Sequence, residues 1–121
     1  MRDFSGSIVA AAWNGTYDEF MNLYEGSEYQ KNNGARSDGR RPLLWDSVTN
    51  PDVDARVAIS NQLIDDGVDV PYVDNNLNVL NMLLGNRHLV PVKDAPLLRR
   101  LLQEGADMNL YHRSKGMEGR G

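Results

Sequence analysis

Two histidines, a set of carboxylates, scattered serines and no cysteine are the groups from which any reactive site in this chain must be drawn. His88 and His112 each lack a second histidine one helical turn away, which excludes a helical zinc pair, and both read as solvated. Without cysteine there is neither a disulfide frame nor a thiolate ligand or nucleophile. Ser47, Ser60 and Ser114 lack the Gly-x-Ser-x-Gly setting of a nucleophile elbow, and no Gly-x-x-x-x-Gly-Lys run offers backbone amides to a phosphate. The acidic run Asp65-Asp66-Gly67-Val68-Asp69, with Asp74 beyond it, superficially suggests a calcium loop. It lacks the alternating oxygen ligands before the glycine and the glutamate at the twelfth position, so it reads as a helix C-terminus followed by a turn. There Asp65 and Asp66 face the negative end of the helix dipole, at a cost of about 0.3 to 1 kcal/mol each. These residues predict no catalytic set, no metal and no cofactor. The expectation is a protein that is not an enzyme.

Charge narrows the class of partner. Of 13 basic and 17 acidic side chains, residues 111 to 121 hold Arg113, Lys115, Arg120 and Glu118, so the body is acidic and the tail basic. An acidic body argues against nucleic-acid binding, which rests on neutralising phosphates. It suits a partner protein with a basic surface. The apolar run Ile8 to Trp13 is too short for a signal segment or a membrane span, so a cytoplasmic protein without membrane contact, monomeric when free, is expected. At 121 residues the chain is long enough for one domain burying roughly 65% of its unfolded surface.

The elements that must position any binding residue repeat. Leu97-Leu98-Arg99-Arg100-Leu101-Leu102-Gln103-Glu104-Gly105-Ala106-Asp107-Met108-Asn109 reads as a helix with Leu98, Leu101 and Leu102 on one face, ended by a glycine turn. Asn61-Gln62-Leu63-Ile64-Asp65-Asp66-Gly67-Val68-Asp69-Val70 is a weaker copy. Upstream, Ile8 to Tyr24 reads as two short antiparallel helices broken at Gly15, with Ala11 and Ala12 small enough for close helix approach. These segments resemble the ankyrin repeat, whose second helix ends in Leu-Leu-x-x-Gly-Ala-Asp-Val-Asn and whose first ends in Ala-Ala-x-x-Gly. Gly39-Arg40-Arg41-Pro42-Leu43-Leu44-Trp45-Asp46-Ser47 resembles the family's Gly-x-Thr-Pro-Leu-His-x-Ala-Ala opening, with Arg41 for Thr and Leu44 for His. Those replacements remove the Thr–His hydrogen bond that stiffens an ankyrin turn.

Asp74 to Leu84 reads as the next opening, with Asn76 replacing the turn glycine at positive φ. Counted against the family spacing, both later units carry extra residues between their helices, around Val48 to Asp54 and Gly85 to Asp94. The expected fold is all-α: a helical solenoid of about three antiparallel helix pairs joined by projecting hairpin loops. It spans residues 1–110, with 111–121 a partial hairpin and flexible basic tail. Glu25 to Gly39, without helical period, is expected to be the first hairpin, and Met108 to Gly116 to begin another. A HEAT-like or tetratricopeptide-like array is the structural competitor.

The resemblance implies protein binding through hairpin tips and the concave helix face. It marks Arg36, Arg40 and Arg41 on the first hairpin, Asp74 and Asn75 on the second, and Trp13 and Trp45 on the first helices as partner-binding candidates. Gly15, Gly39, Gly67 and Gly105 are the structural turns. The economy of a chain that is little more than the array suggests an inhibitor of the bacterial immunity or antitoxin kind, with a regulatory scaffold or adaptor, or a fragment of a longer ankyrin protein, as the alternatives.

Overall fold

The computed structural model describes residues 7–35 and 41–112 of the chain. Among them run seven helices: α1 (Ile8–Asn14), α2 (Tyr17–Tyr24), α3 (Glu28–Lys31), α4 (Leu43–Ser47), α5 (Val53–Asp65), α6 (Val79–Leu84) and α7 (Pro91–Gln103). Residues 108–112 are helical again, and the described residues hold no β-strand beyond one isolated bridge, Asp74 with Leu77. The all-α expectation is met. No helix among the described residues is long and apolar enough to cross a membrane.

Local signals set the helix boundaries. Ser7 caps α1 by accepting from the Ala10 N–H, and Thr16 and Glu19 form a reciprocal capping box at α2. Asp52 caps α5, Asn78 and Asn81 close a capping box at α6, and Pro91 occupies the first turn of α7, where its missing N–H costs nothing. At the far ends, Gly67 (φ 91°) and Gly105 (φ 111°) take the left-handed conformation that lets Val68 N–H reach the Leu63 carbonyl and Ala106 N–H the Leu101 carbonyl. Asn33 (φ 58°) ends α3 in the same way, with Gly34 N–H on the Tyr29 carbonyl.

Packing pairs equivalent helices. α1 lies on α4 and α4 on α6, while α2 lies on α5 and α5 on α7. Two layers of helices result, one built from the first helix of each pair and one from the second. Their interior is filled by Phe20 and Tyr24, stacked at 4.7 Å between ring centroids, and by Leu43, Leu44, Ile59, Leu63, Leu80, Leu83, Leu97 and Leu101, all essentially inaccessible. Burying each such side chain stabilises the fold by about 1.5–3 kcal/mol relative to exposure. The α7 register differs from expectation: Leu97 and Leu101 are buried, whereas Leu98 and Leu102 are half-buried. The reason is that α5 covers only one side of α7.

A buried polar chain ties the pairs together where leucine cannot. Asn50 Nδ2 donates to the carbonyls of Ala12 (3.0 Å) and Gly15 (2.9 Å), and Asn86 Nδ2 donates to those of Val48 (2.9 Å) and Asn50 (3.2 Å). Arg56, fully buried on α5, makes a two-toothed pair with Asp94 of α7 (Nε to Oδ1 2.9 Å, Nη2 to Oδ2 2.7 Å). It also donates to the backbone carbonyls of Asn50 and His88. Burial alone would raise the Asp94 carboxyl, but hydrogen bonds from Arg56 and the Val90 N–H, and the charge of Arg56, hold it below the usual carboxylate range. Beside this pair, Ser47 and Ser60 share a hydrogen bond of 2.7 Å.

Several local expectations are corrected. Glu25 to Gly39 is not hairpin throughout: residues 28–31 form α3, capped by Ser27, which accepts from the Gln30 N–H. The segment read as a loop to Asp94 becomes helix from Pro91, and the extra residues of the later units go partly into outer helices of 13 residues where α2 has 8. Met108 begins a helical turn rather than a hairpin. Residues 113–121, expected as a flexible tail, lie outside the described residues.

Candidate interaction surface

The first and second connections meet in front of α4. The Arg41 guanidinium lies 4.8 Å over the Trp45 ring and its Nε donates to Asp74 Oδ2 at 2.9 Å. Tyr72 meets the indole edge-on, with centroids 5.9 Å apart. Three of the expected partner-binding residues, Arg41, Trp45 and Asp74, are thus brought together by residues 33 apart in sequence. The arrangement corrects one assignment: Trp45 is only 3% exposed, so it serves as the floor of the cluster rather than as a contact. Arg41 and Asp74 are paired with each other while keeping about two-fifths of each side chain in solvent. An exposed pair of this kind adds little stability, so its value lies in placing both groups. Among the described residues the buried Trp45 indole N–H has no acceptor.

The second hairpin is held by its turn. Asn75 (φ 54°) and Asn76 (φ 64°) both occupy the left-handed region, and Asp74 and Leu77 exchange backbone hydrogen bonds of 3.0 and 2.9 Å across them. This is the two-residue turn that suits paired positive φ values, for which Asn is the best residue after Gly. The role foreseen for Asn76 is borne out in its backbone. Val73, 50% exposed, projects an apolar side chain beside the ion pair. Val73 and Tyr72 were not anticipated, although an aromatic and an aliphatic residue inside a polar hairpin were a readable signal.

Trp13 stands apart. It is 46% exposed in the last turn of α1, whereas the Arg41 cluster adjoins the first turn of α4. Gly15 beyond it does not need positive φ; its own φ is -99°. A Cβ there would fall 2.6 Å from the Ala11 carbonyl oxygen, so steric closeness requires the glycine. Arg36, Arg40 and Gly39 lie outside the described residues.

The acidic run is built into the outer layer. Asp66 Oδ2 accepts from the Tyr24 hydroxyl at 2.8 Å and from Gln62 at 3.1 Å, and Asp65 pairs with Arg100 at 2.6 Å. Burial, followed by the hydrogen bond and negative charge of Asp66, pushes the Tyr24 phenol far above its ordinary value. These partners offset the dipole cost expected at this helix end. His88 and His112 are exposed, as expected; the His88 backbone, not its ring, joins the interior network.

No family model and no curated protein sequence matches the chain. A solved structure does: a functionally unknown protein from Leptotrichia buccalis C-1013-b is similar at a TM-score of 0.71 and 24% identity over 85% of this chain. The match takes in 55% of that protein, so the chain spans about half its length. The likeness concerns the fold alone.

Proposed function

We propose that this chain is a short ankyrin-like solenoid that acts by binding another protein. What supports the reading is the patch at the second hairpin: Arg41, Asp74 and Val73 are presented together on a turn whose backbone is internally hydrogen-bonded, over a buried Trp45 that holds Arg41 in place. Arg and apolar side chains preorganised in this way lose little entropy on docking. The equivalent-on-equivalent packing of the helices and the three left-handed turns at Asn33, Gly67 and Gly105 favour the ankyrin-like reading over other helical arrays.

The partner is a protein with a basic surface. Residues 41–78 carry Asp46, Asp52, Asp54, Asp65, Asp66, Asp69 and Asp74 against only Arg41 and Arg56, and Arg56 is buried. Asp18, Asp52 and Asp54 line one shallow depression between the starts of α2 and α5. Inhibition of a toxin or effector by occupying its surface, in the cytoplasm of the producing cell, is the specific form proposed; an adaptor role rests on the same patch.

The test is binding of the purified chain to products of adjacent genes, read by calorimetry. Arg41→Ala combined with Val73→Ala should weaken the complex at least ten-fold while leaving the unfolding midpoint nearly unchanged. A partner bound equally well by the variant would refute the surface, and no complex with any such product would sink the inhibitor reading.

A further inference from the structure

The loop between α6 and α7 is fixed through its backbone while the side chains of Arg87 and His88 take no part in the fold, and we propose that these two form an anion site for a small phosphate monoester. Asn86 anchors the loop: its Nδ2 donates to the carbonyls of Val48 and Asn50, and its Oδ1 accepts from the His88 N–H at 2.8 Å. Two further bonds close the turn, from the Leu89 N–H to the Asn86 carbonyl and from buried Arg56 to the His88 carbonyl. Between these anchors the Arg87 and His88 side chains are exposed. Neither makes a hydrogen bond or an ion pair among the described residues.

Together with Thr49, Asn81 and Met82 they border a depression of about 360 Å³. No carboxylate lines it, in a chain whose formal charge is -4. Asn81 Oδ1 is held by the Asn78 N–H at 3.0 Å, which leaves the Asn81 Nδ2 a donor without a partner among the described residues. At the end of α6 the Asn81 carbonyl accepts from the Gly85 N–H and the Leu83 carbonyl from the Asn86 N–H, which limits their repulsion of an anion. The depression lies between the second and third helix pairs, at the ends of α4 and α6 that point away from the hairpins. The described chain breaks off on the other side. Ser7 starts α1, Ala35 and Arg41 flank the first hairpin, and His112 is one turn past Asp107, whose carbonyl accepts from Asn78 at the start of α6.

The donors select the ligand. A guanidinium offers a planar fork of N–H groups, an imidazole at least one N–H in either protonation state, and the Asn81 amide nitrogen two more. A phosphoryl group suits this set, because it presents three terminal oxygens and about 1.5 to 2 negative charges at pH 7. A carboxylate brings two oxygens and a single charge. The space exceeds a bare ion and falls in the range of about 300 to 1,000 Å³ that holds small molecules, with Met82 as an apolar wall for the organic body. Fixing the loop beforehand lowers the ordering cost of binding. The site is separate from the hairpin patch and does not depend on the protein-binding reading.

Amide NMR titration of the full chain with phenyl phosphate, inorganic phosphate, benzoate and phenol tests this. Phenyl phosphate should shift the signals of residues 81–88 saturably with a Kd of about 1 mM or below, inorganic phosphate several-fold more weakly, and benzoate about ten-fold more weakly. Phenol should leave them in place. Arg87→Gln should cost about ten-fold in phenyl phosphate affinity and His88→Gln about three-fold. Both variants should keep the wild-type unfolding midpoint, since neither side chain is bonded within the fold. Met82→Ala should weaken phenyl phosphate and leave inorganic phosphate unchanged. Three results would each overturn the proposal: no saturable shift with either phosphate up to about 10 mM, benzoate bound as tightly as phenyl phosphate, or wild-type affinity in Arg87→Gln.

Discussion

Asn50 and Asn86, 36 residues apart, do the same work in successive helix pairs: each side-chain amide donates to two carbonyls of the preceding pair, and each side-chain oxygen accepts an N–H two residues on. The stack is therefore joined by a repeated polar clasp as well as by leucine. The amide is suited to this because it donates and accepts at once, from a side chain short enough to sit between two loops.

Removing a clasp should cost according to its burial. Asn50→Ala leaves the Ala12 and Gly15 carbonyls buried without that donor, an expected loss of about 2–3 kcal/mol, and half-buried Asn86→Ala about 1 kcal/mol. Urea unfolding measures both. Equal effects, or none, would show that water or backbone shifts replace the amides.

The Arg56–Asp94 pair predicts an asymmetry. Arg56→Met alone should destabilise by about 3–5 kcal/mol, because the Asp94 carboxylate is left buried and unpaired. Arg56→Met with Asp94→Leu should recover much of that loss, although the Val90 N–H then lacks its acceptor. A double variant as unstable as the single one would show that the pair's backbone contacts, rather than its charges, dominate.

The same pair sets an acid limb. Asp94 has its folded-state pKa lowered, so its contribution is complete above the unfolded carboxyl value of about 3.9 and is lost as pH falls through the folded value. Stability should decline below about pH 4, and Asp94→Asn should remove roughly one proton from that slope. Urea midpoints measured between pH 2 and 6, conditions chosen around that value, supply the comparison; identical slopes would contradict the assignment.

Glycine roles separate by geometry. Gly15→Ala drives a Cβ into the Ala11 carbonyl and should cost about 1–3 kcal/mol. Gly67→Asn should cost less, since its φ of 91° lies in a region Asn tolerates and its nearest neighbours, in the Asn33 side chain, are at 3.7 Å or more. Thermal unfolding that ranked these two in the opposite order would refute this distinction.

What the sequence by itself determined was local and periodic. Gly67 and Gly105 had to end helices because few residues enter positive φ cheaply, Asn76 could replace glycine for the same reason, and the apolar spacing called for helices packed in pairs. What only the tertiary structure decided lies between distant residues. Arg56 and Asp94 are 38 positions apart, and no local pattern reveals that one surface-type residue will be buried against the other. Trp45 read as a contact because Trp is common at interfaces, yet the meeting of Arg41, Tyr72 and Asp74 turned it into a floor. Short-range sterics are written into neighbouring residue types, whereas burial and pairing depend on which segments the stack brings face to face.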